Sequence, residues 1–150
     1  MATGDVIVFE EAKEYLLDGG FEAADEIWIA ILDNTATPTA AFATPALGDF
    51  TEVGTAGSYA AGGLLLDTLG DLVTEAAGTA TFDTTGTSDN ETPTWAQNAS
   101  NDIDAWWGLI YNNTDAGDRA IAFIELGGPV DMSAGSLTVT FNASGIFTVT

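Results

Sequence analysis

Residues 103–126, IDAWWGLIYNNTDAGDRAIAFIEL, constrain the fold most tightly. They read as two apolar strands, 103–111 and 120–126, joined by the polar loop NNTDAGDR. Ile103, Ala105, Trp107, Leu109 and Tyr111 would share one face of the first strand. Asp104, Trp106, Gly108 and Ile110 would share the other. An antiparallel strand with one wet face alternates apolar with polar side chains. This one is apolar on both sides apart from Asp104, so it is central in a layered structure, or its second face meets a covering element or another subunit. Trp107 with Leu109 and Tyr111 forms one candidate inner face, and Trp106 with Ile110 the other.

The rest of the chain supplies short segments around that hairpin. Residues 6–9 are extended. Residues 9–17, FEEAKEYLL, place Phe9, Ala12 and Leu16 on one helical face with Glu10, Glu11 and Glu14 outside. Acids in the first turn suit the helix dipole, and Gly19-Gly20 ends the helix. Residues 26–32, EIWIAIL, read as a covered strand, and 33–49 as a long loop rich in Ala, Thr and Pro. Residues 50–53 are a short strand candidate. Residues 57–78 read as two short strands, because Gly62, Gly63 and Gly70 oppose a helix. Strands are expected at 79–83, at an edge segment 93–95, at 136–142 with Leu137, Val139 and Phe141 inside, and at 146–150. Polar turns are expected at 84–92 and 127–135. The spacing predicts an all-β fold, an antiparallel β-sandwich of about eight strands, jelly-roll-like, with one short N-terminal helix. One domain spans residues 1–150, with residues 1–20 an N-terminal extension and helix.

Charge narrows the function. The chain has 23 acidic residues against two basic ones, Lys13 and Arg119, for a formal net charge of −21. Such a surface repels nucleic acid phosphates and anionic lipid. Self-repulsion at this density opposes compaction unless high salt screens it or an assembly binds cations; a saline habitat is preferred to an acidic mesophilic surface selected for solubility. The N-terminal residues lack the basic and apolar regions of a signal peptide, and no apolar run is long enough to cross a bilayer.

Chemistry is sparse. The chain has neither histidine nor cysteine, which removes the commonest bases, nucleophiles and zinc ligands. Asp102 and Asp104 could act as a carboxylate pair beside Trp106, but acids this frequent place such pairs by chance. Residues 112–118, NNTDAGD, are rich in oxygen ligands yet depart from the EF-hand pattern and read as a solvated turn. Glycosylation acceptors at Asn90, Asn98, Asn112 and Asn142 are expected by chance in a chain rich in Thr and Asn. Trp28, Trp95, Trp106, Trp107 and Tyr111 could build a sugar-stacking platform, but core and interface packing is the preferred reading. No catalytic residue, metal or cofactor is expected, and the chain does not read as an enzyme.

Several segments in order carry a resemblance: FEEAKEYLLDGG, EIWIAIL, GSYAAGGLLL, Trp95, AWWGLIYNNT, AIAFIELGG and SLTVTFNASGIFTVT. Together they resemble a family of small virion structural proteins of tailed bacteriophages and related archaeal viruses. YAAGG (residues 59–63) and TVTFNASGIFTVT (residues 138–150) are the most characteristic pieces, and the likeness runs from about Phe9 to Thr150. The resemblance implies a capsid decoration or cement protein on the outer capsid surface, with the major capsid protein and further copies of itself as partners. A trimer is expected before a dimer. The runners-up are a tail, turret or fibre-base component and a carbohydrate-binding β-sandwich. The candidate assembly contacts are Trp106, Ile110, Phe42, Val6 and Ile7, with residues 33–49 and the N-terminal segment as the contact elements. With two cations in the chain, attachment is expected to rest on apolar burial and backbone pairing.

Overall fold

Residues 4–84 and 90–149 are described in the computed structural model. Ten strands and two helices follow in order: β1 (Val6–Val8), α1 (Glu10–Leu17), β2 (Glu26–Leu32), β3 (Leu64–Thr68), α2 (Leu69–Leu72), β4 (Val73–Ala76), β5 (Thr79–Phe82), β6 (Thr94–Trp95), β7 (Ala105–Asn112), β8 (Ala120–Val130), β9 (Leu137–Thr138) and β10 (Phe147–Val149). A five-stranded sheet in the order β1-β8-β7-β2-β3 forms one layer. The opposite layer is divided between a three-stranded sheet, β10-β5-β4, and a two-stranded one, β6-β9. Every pairing is antiparallel. The expected antiparallel sandwich is present, with its second layer in two pieces.

β2 and β7 lie at the centre of the large sheet and are apolar on both faces because both faces are covered by the chain itself. On one side Ile27, Ile29, Ile31, Ile110, Ala122 and Ile124 pack against Phe82, Trp95, Leu137 and Ile146 of the second layer. On the other, Ala30, Leu32, Trp107, Leu109, Tyr111 and Phe123 pack against Phe9 and Ala12 at α1 and Phe50 at the end of the long loop. The choice left open by the sequence thus resolves as core on one face of β7 and covering elements on the other. Phe9 is fully buried, with its ring 5.0 Å from Phe123 and 6.4 Å from Phe50.

Three expectations are corrected. The alternation along β7 is broken where Ala105 pairs with Val130 but Trp107 pairs with Glu125. Residues 126–129 of β8 therefore stand opposite Trp106 alone. This bulge puts Ala105 with Ile110 on one face, and Trp106 packs against the cluster that holds Trp107. Trp106 and Trp107 consequently do not serve opposite cores. Secondly, β8 continues through Gly127 and Gly128 to Val130, where a turn was expected; the turn falls at 131–134, where the Asp131 carboxylate accepts the Ser133 and Ala134 amides. Thirdly, residues 50–53 make no strand but a single bridge, Leu32 to Glu52.

Smaller departures have local causes. The segment 57–78 contains β3 and β4 as expected, with one helical turn, α2, between them. The regular alternation of 136–142 gives only the two-residue β9, because its partner β6 is equally short; Leu137 and Val139 are still buried. The turn expected at 84–92 lies in part outside the described residues, as does the last residue of the strand expected at 146–150. Among the described residues no helix is long and apolar enough to cross a membrane.

Candidate functional site

One edge of β2 has a gap. β3 pairs with β2 from Glu26 to Ile29, and Glu52 bridges Leu32. Between them the backbone of Ile31 needs partners, since a buried amide without one is costly. The loop YAAGG supplies them. The Tyr59 hydroxyl accepts the Ile31 amide at 3.0 Å and donates to Glu52 Oε2 at 2.6 Å. The same carboxylate oxygen accepts the Gly62 amide at 2.7 Å, and the Val53 amide donates to the Ile31 carbonyl. The Tyr111 hydroxyl donates to the Gly62 carbonyl at 2.9 Å, tying the loop to β7. Gly62 and Gly63 take φ of +85° and +82°, and an added Cβ on Gly63 would stand 2.0 Å from the Ile29 carbonyl oxygen. Only a glycine permits that approach.

Burial, reinforced by the hydrogen bond to Glu52, holds the Tyr59 phenol above its ordinary range. Burial, with the nearby charges of Asp118 and Glu52, does the same to Tyr111. A folded-state pKa raised above the unfolded value gives stability that is full below about pH 10 and is lost as pH rises further. Stability should therefore fall steeply above that pH, by about 1.4 kcal/mol per pH unit from Tyr59 alone, and the melting temperature with it. In Tyr59→Phe that slope should flatten, and urea unfolding at neutral pH should record a loss of about 1–3 kcal/mol from the unpaired Ile31 amide. An unchanged alkaline slope would mean that Tyr59 ionises freely in the folded protein.

The chemistry-bearing residues singled out from the sequence do not converge. Asp102 accepts the amides of Gly54, Ile103 and Asp104, so its carboxylate pins the start of β7. Asp104 accepts the Trp106 indole N–H at 2.7 Å. In the loop 112–118, Asn112 Oδ1 accepts the amides of Thr114 and Asp115, and Asp115 Oδ1 that of Gly117. These oxygens hold turns. Asn112 is also buried, with its Nδ2 donating to Asp25, which closes that glycosylation acceptor. Among the described residues no group of three or more acidic side chains is placed to hold a metal ion.

Tyr15 joins α1 to the β7–β8 loop by donating its hydroxyl to Asp115. The Arg119 guanidinium lies 3.8 Å from the centre of the Tyr15 ring, with Asp115 4.0 Å away. The Tyr15 hydroxyl, then the Gly117 amide, hold Asp115 below the usual carboxylate range.

The five aromatic residues weighed as a sugar-stacking platform are not exposed together. Trp95, Trp107 and Tyr111 are buried, whereas Trp28 and Trp106 are half-buried, each with its indole N–H on a carboxylate two residues earlier. Of the candidate assembly contacts, Ile110 is fully enclosed in the core. The Phe42 ring lies tilted against Phe50, with centroids 5.2 Å apart, and Val6 and Ile7 are half-buried in β1 at the sheet edge. Residues 33–49 are bound to the chain itself: Ala40 O accepts the Glu10 amide, Pro45 O that of Ala120, and the Leu47 amide donates to Asp118. Thr35, Thr37, Thr39, Ala41 and Ala43 remain exposed along it. The gap-closing role of Tyr59 and Glu52 escaped the sequence reading, although YAAGG itself was a visible signal. No family model, curated protein or solved structure matches the chain.

Proposed function

We propose that this protein is a structural component of a virion, a decoration or cement protein bound to the outside of a tailed-virus head and stabilising it. Its partners are the major capsid protein and further copies of itself, as a trimer before a dimer. The observation that supports this best is what the most characteristic resembling segment does: residues 59–63 close the edge of β2 by packing and backbone bonding. The carboxylates at Asp102, Asp115 and Asp131 likewise serve as acceptors for backbone amides. Such a chain is suited to holding a shape and presenting surfaces. A net charge of −21 favours the outside of a filled head, because packed DNA inside would repel it.

Cryo-electron microscopy of particles carrying the protein tests the reading. Density matching the five-stranded sheet and its two-piece second layer is expected on the outer head, in many symmetric copies. Density confined to the tail would transfer the protein to a tail, turret or fibre-base role. Its absence from purified particles would end the virion assignment.

A further inference from the structure

A groove of about 400 Å³ opens between the end of α1 and the face of the three-stranded sheet. Phe21, Leu69, Val73, Phe82, Ile121 and Phe147 supply most of its wall, and Leu16 closes one side. Four large hydrophobic side chains are exposed among the described residues, and two of them, Leu16 and Val73, line this groove. Exposed apolar side chains gathered in one place mark an interaction site more often than scattered ones do. β4 contributes Val73 to the wall and pairs only with β5, so its outer edge carries no strand among the described residues.

The surroundings are anionic. Glu14, Asp18, Glu22, Asp71 and Glu75 are all exposed on the segments that build the groove. Lys13 is the exposed base nearest in sequence, and Arg119 is held over the Tyr15 ring. We propose that this groove receives an apolar segment of a partner protein flanked by lysine or arginine. The apolar wall takes the centre of the segment, and the carboxylates exposed on α1, α2 and β4 attract its flanking cations and orient its approach. An extended segment can also pair with the edge of β4 that carries no strand among the described residues. A second copy of this chain fits less well, because it would set the same carboxylates against one another. The proposal stands independently of whether the protein belongs to a virion.

The probe is the synthetic peptide KKLVFVLKK, titrated into isotope-labelled full-length protein at about physiological ionic strength, where exposed charges are partly screened. Saturable chemical-shift changes are expected at Phe21, Val73, Phe82 and Phe147. KKSGSGSKK, which keeps the cations, and EELVFVLEE, which keeps the apolar centre, should each bind at least about tenfold more weakly. Val73→Glu should weaken KKLVFVLKK by a similar factor, whereas Ile103→Glu, at the exposed hydrophobic site away from the groove, should not. Leu16→Glu on the groove wall repeats the test should Val73→Glu fail to fold. Shifts scattered over the acidic surface, equal binding of KKSGSGSKK, or indifference to both groove variants would overturn the proposal. Self-association through the groove without peptide binding would overturn it in favour of a second copy.

Discussion

Replacing Gly63 by alanine is expected to remove most of the folded protein, with a loss of about 4 kcal/mol or more in urea unfolding and a sharp fall in soluble yield. Two costs combine. A φ of +82° disfavours any side chain, by about 1–2 kcal/mol. The new Cβ would also lie 2.0 Å from the Ile29 carbonyl oxygen and 2.8 Å from the Ala30 Cα, both backbone atoms of the central strand β2. Neither can move without disturbing the pairing of β2 with β7. Gly19→Ala separates the two costs, because Gly19 has a φ of +71° with nothing within 4 Å of its added Cβ. That variant should lose only the conformational part, about 1–2 kcal/mol. Equal losses in the two variants would show that the close approach of Gly63 to β2 has no energetic weight.

Salt should move stability almost as far. The Debye length shrinks from about 30 Å at 0.01 M to about 3 Å at 1 M, so low salt leaves charges across the whole domain in mutual contact. Two like charges 15 Å apart in water repel by about 0.3 kcal/mol, and a net charge of −21 sums many such pairs. The unfolded chain spreads the same charges further apart, so the difference opposes folding. Compensation within the chain is slight: among the described residues one ion pair is formed, Arg119 with Asp115, at 4.0 Å. Thermal melts from 0.01 M to molar salt should rise by about 10 °C or more, equivalent to about 3 kcal/mol for a domain of this size. A flat profile would detach the acidic composition from a saline setting and leave the structural reading untouched.

What the sequence made legible was local or strongly periodic. EIWIAIL announces β2 because a covered strand needs no polar alternation, and FEEAKEYLL announces α1 through its apolar spacing and Gly19. The double-sided apolarity of β7 correctly signalled cover on both faces. What was hidden depends on register between distant segments. Nothing near Trp106 reveals that residues 126–129 bulge opposite it. Tyr59 could not be assigned to the Ile31 amide without knowing that the pairing of β2 with β3 ends at Ile29 and a bridge to Glu52 resumes at Leu32. Glycine and proline at 127–129 suggested a turn where an edge-distorted strand continues. The groove was invisible because Leu16, Val73 and Phe147 come from three separated parts of the chain.

The strand order also governs when the protein can fold during synthesis. β1 pairs with β8, β2 with β7, and β5 with β10, so the first strand waits for residues 122–124 and the small sheet waits for residues 147–149. A ribosome that has made about two-thirds of the chain holds β2 beside β3 with its other partner, β7, missing and an apolar edge uncovered. Pairings of such long separation form slowly and leave unfinished strands open to other chains in the meantime. On a crowded polysome, the carboxylates spread along those same unfinished segments would hold neighbouring nascent chains apart until the last strand arrives.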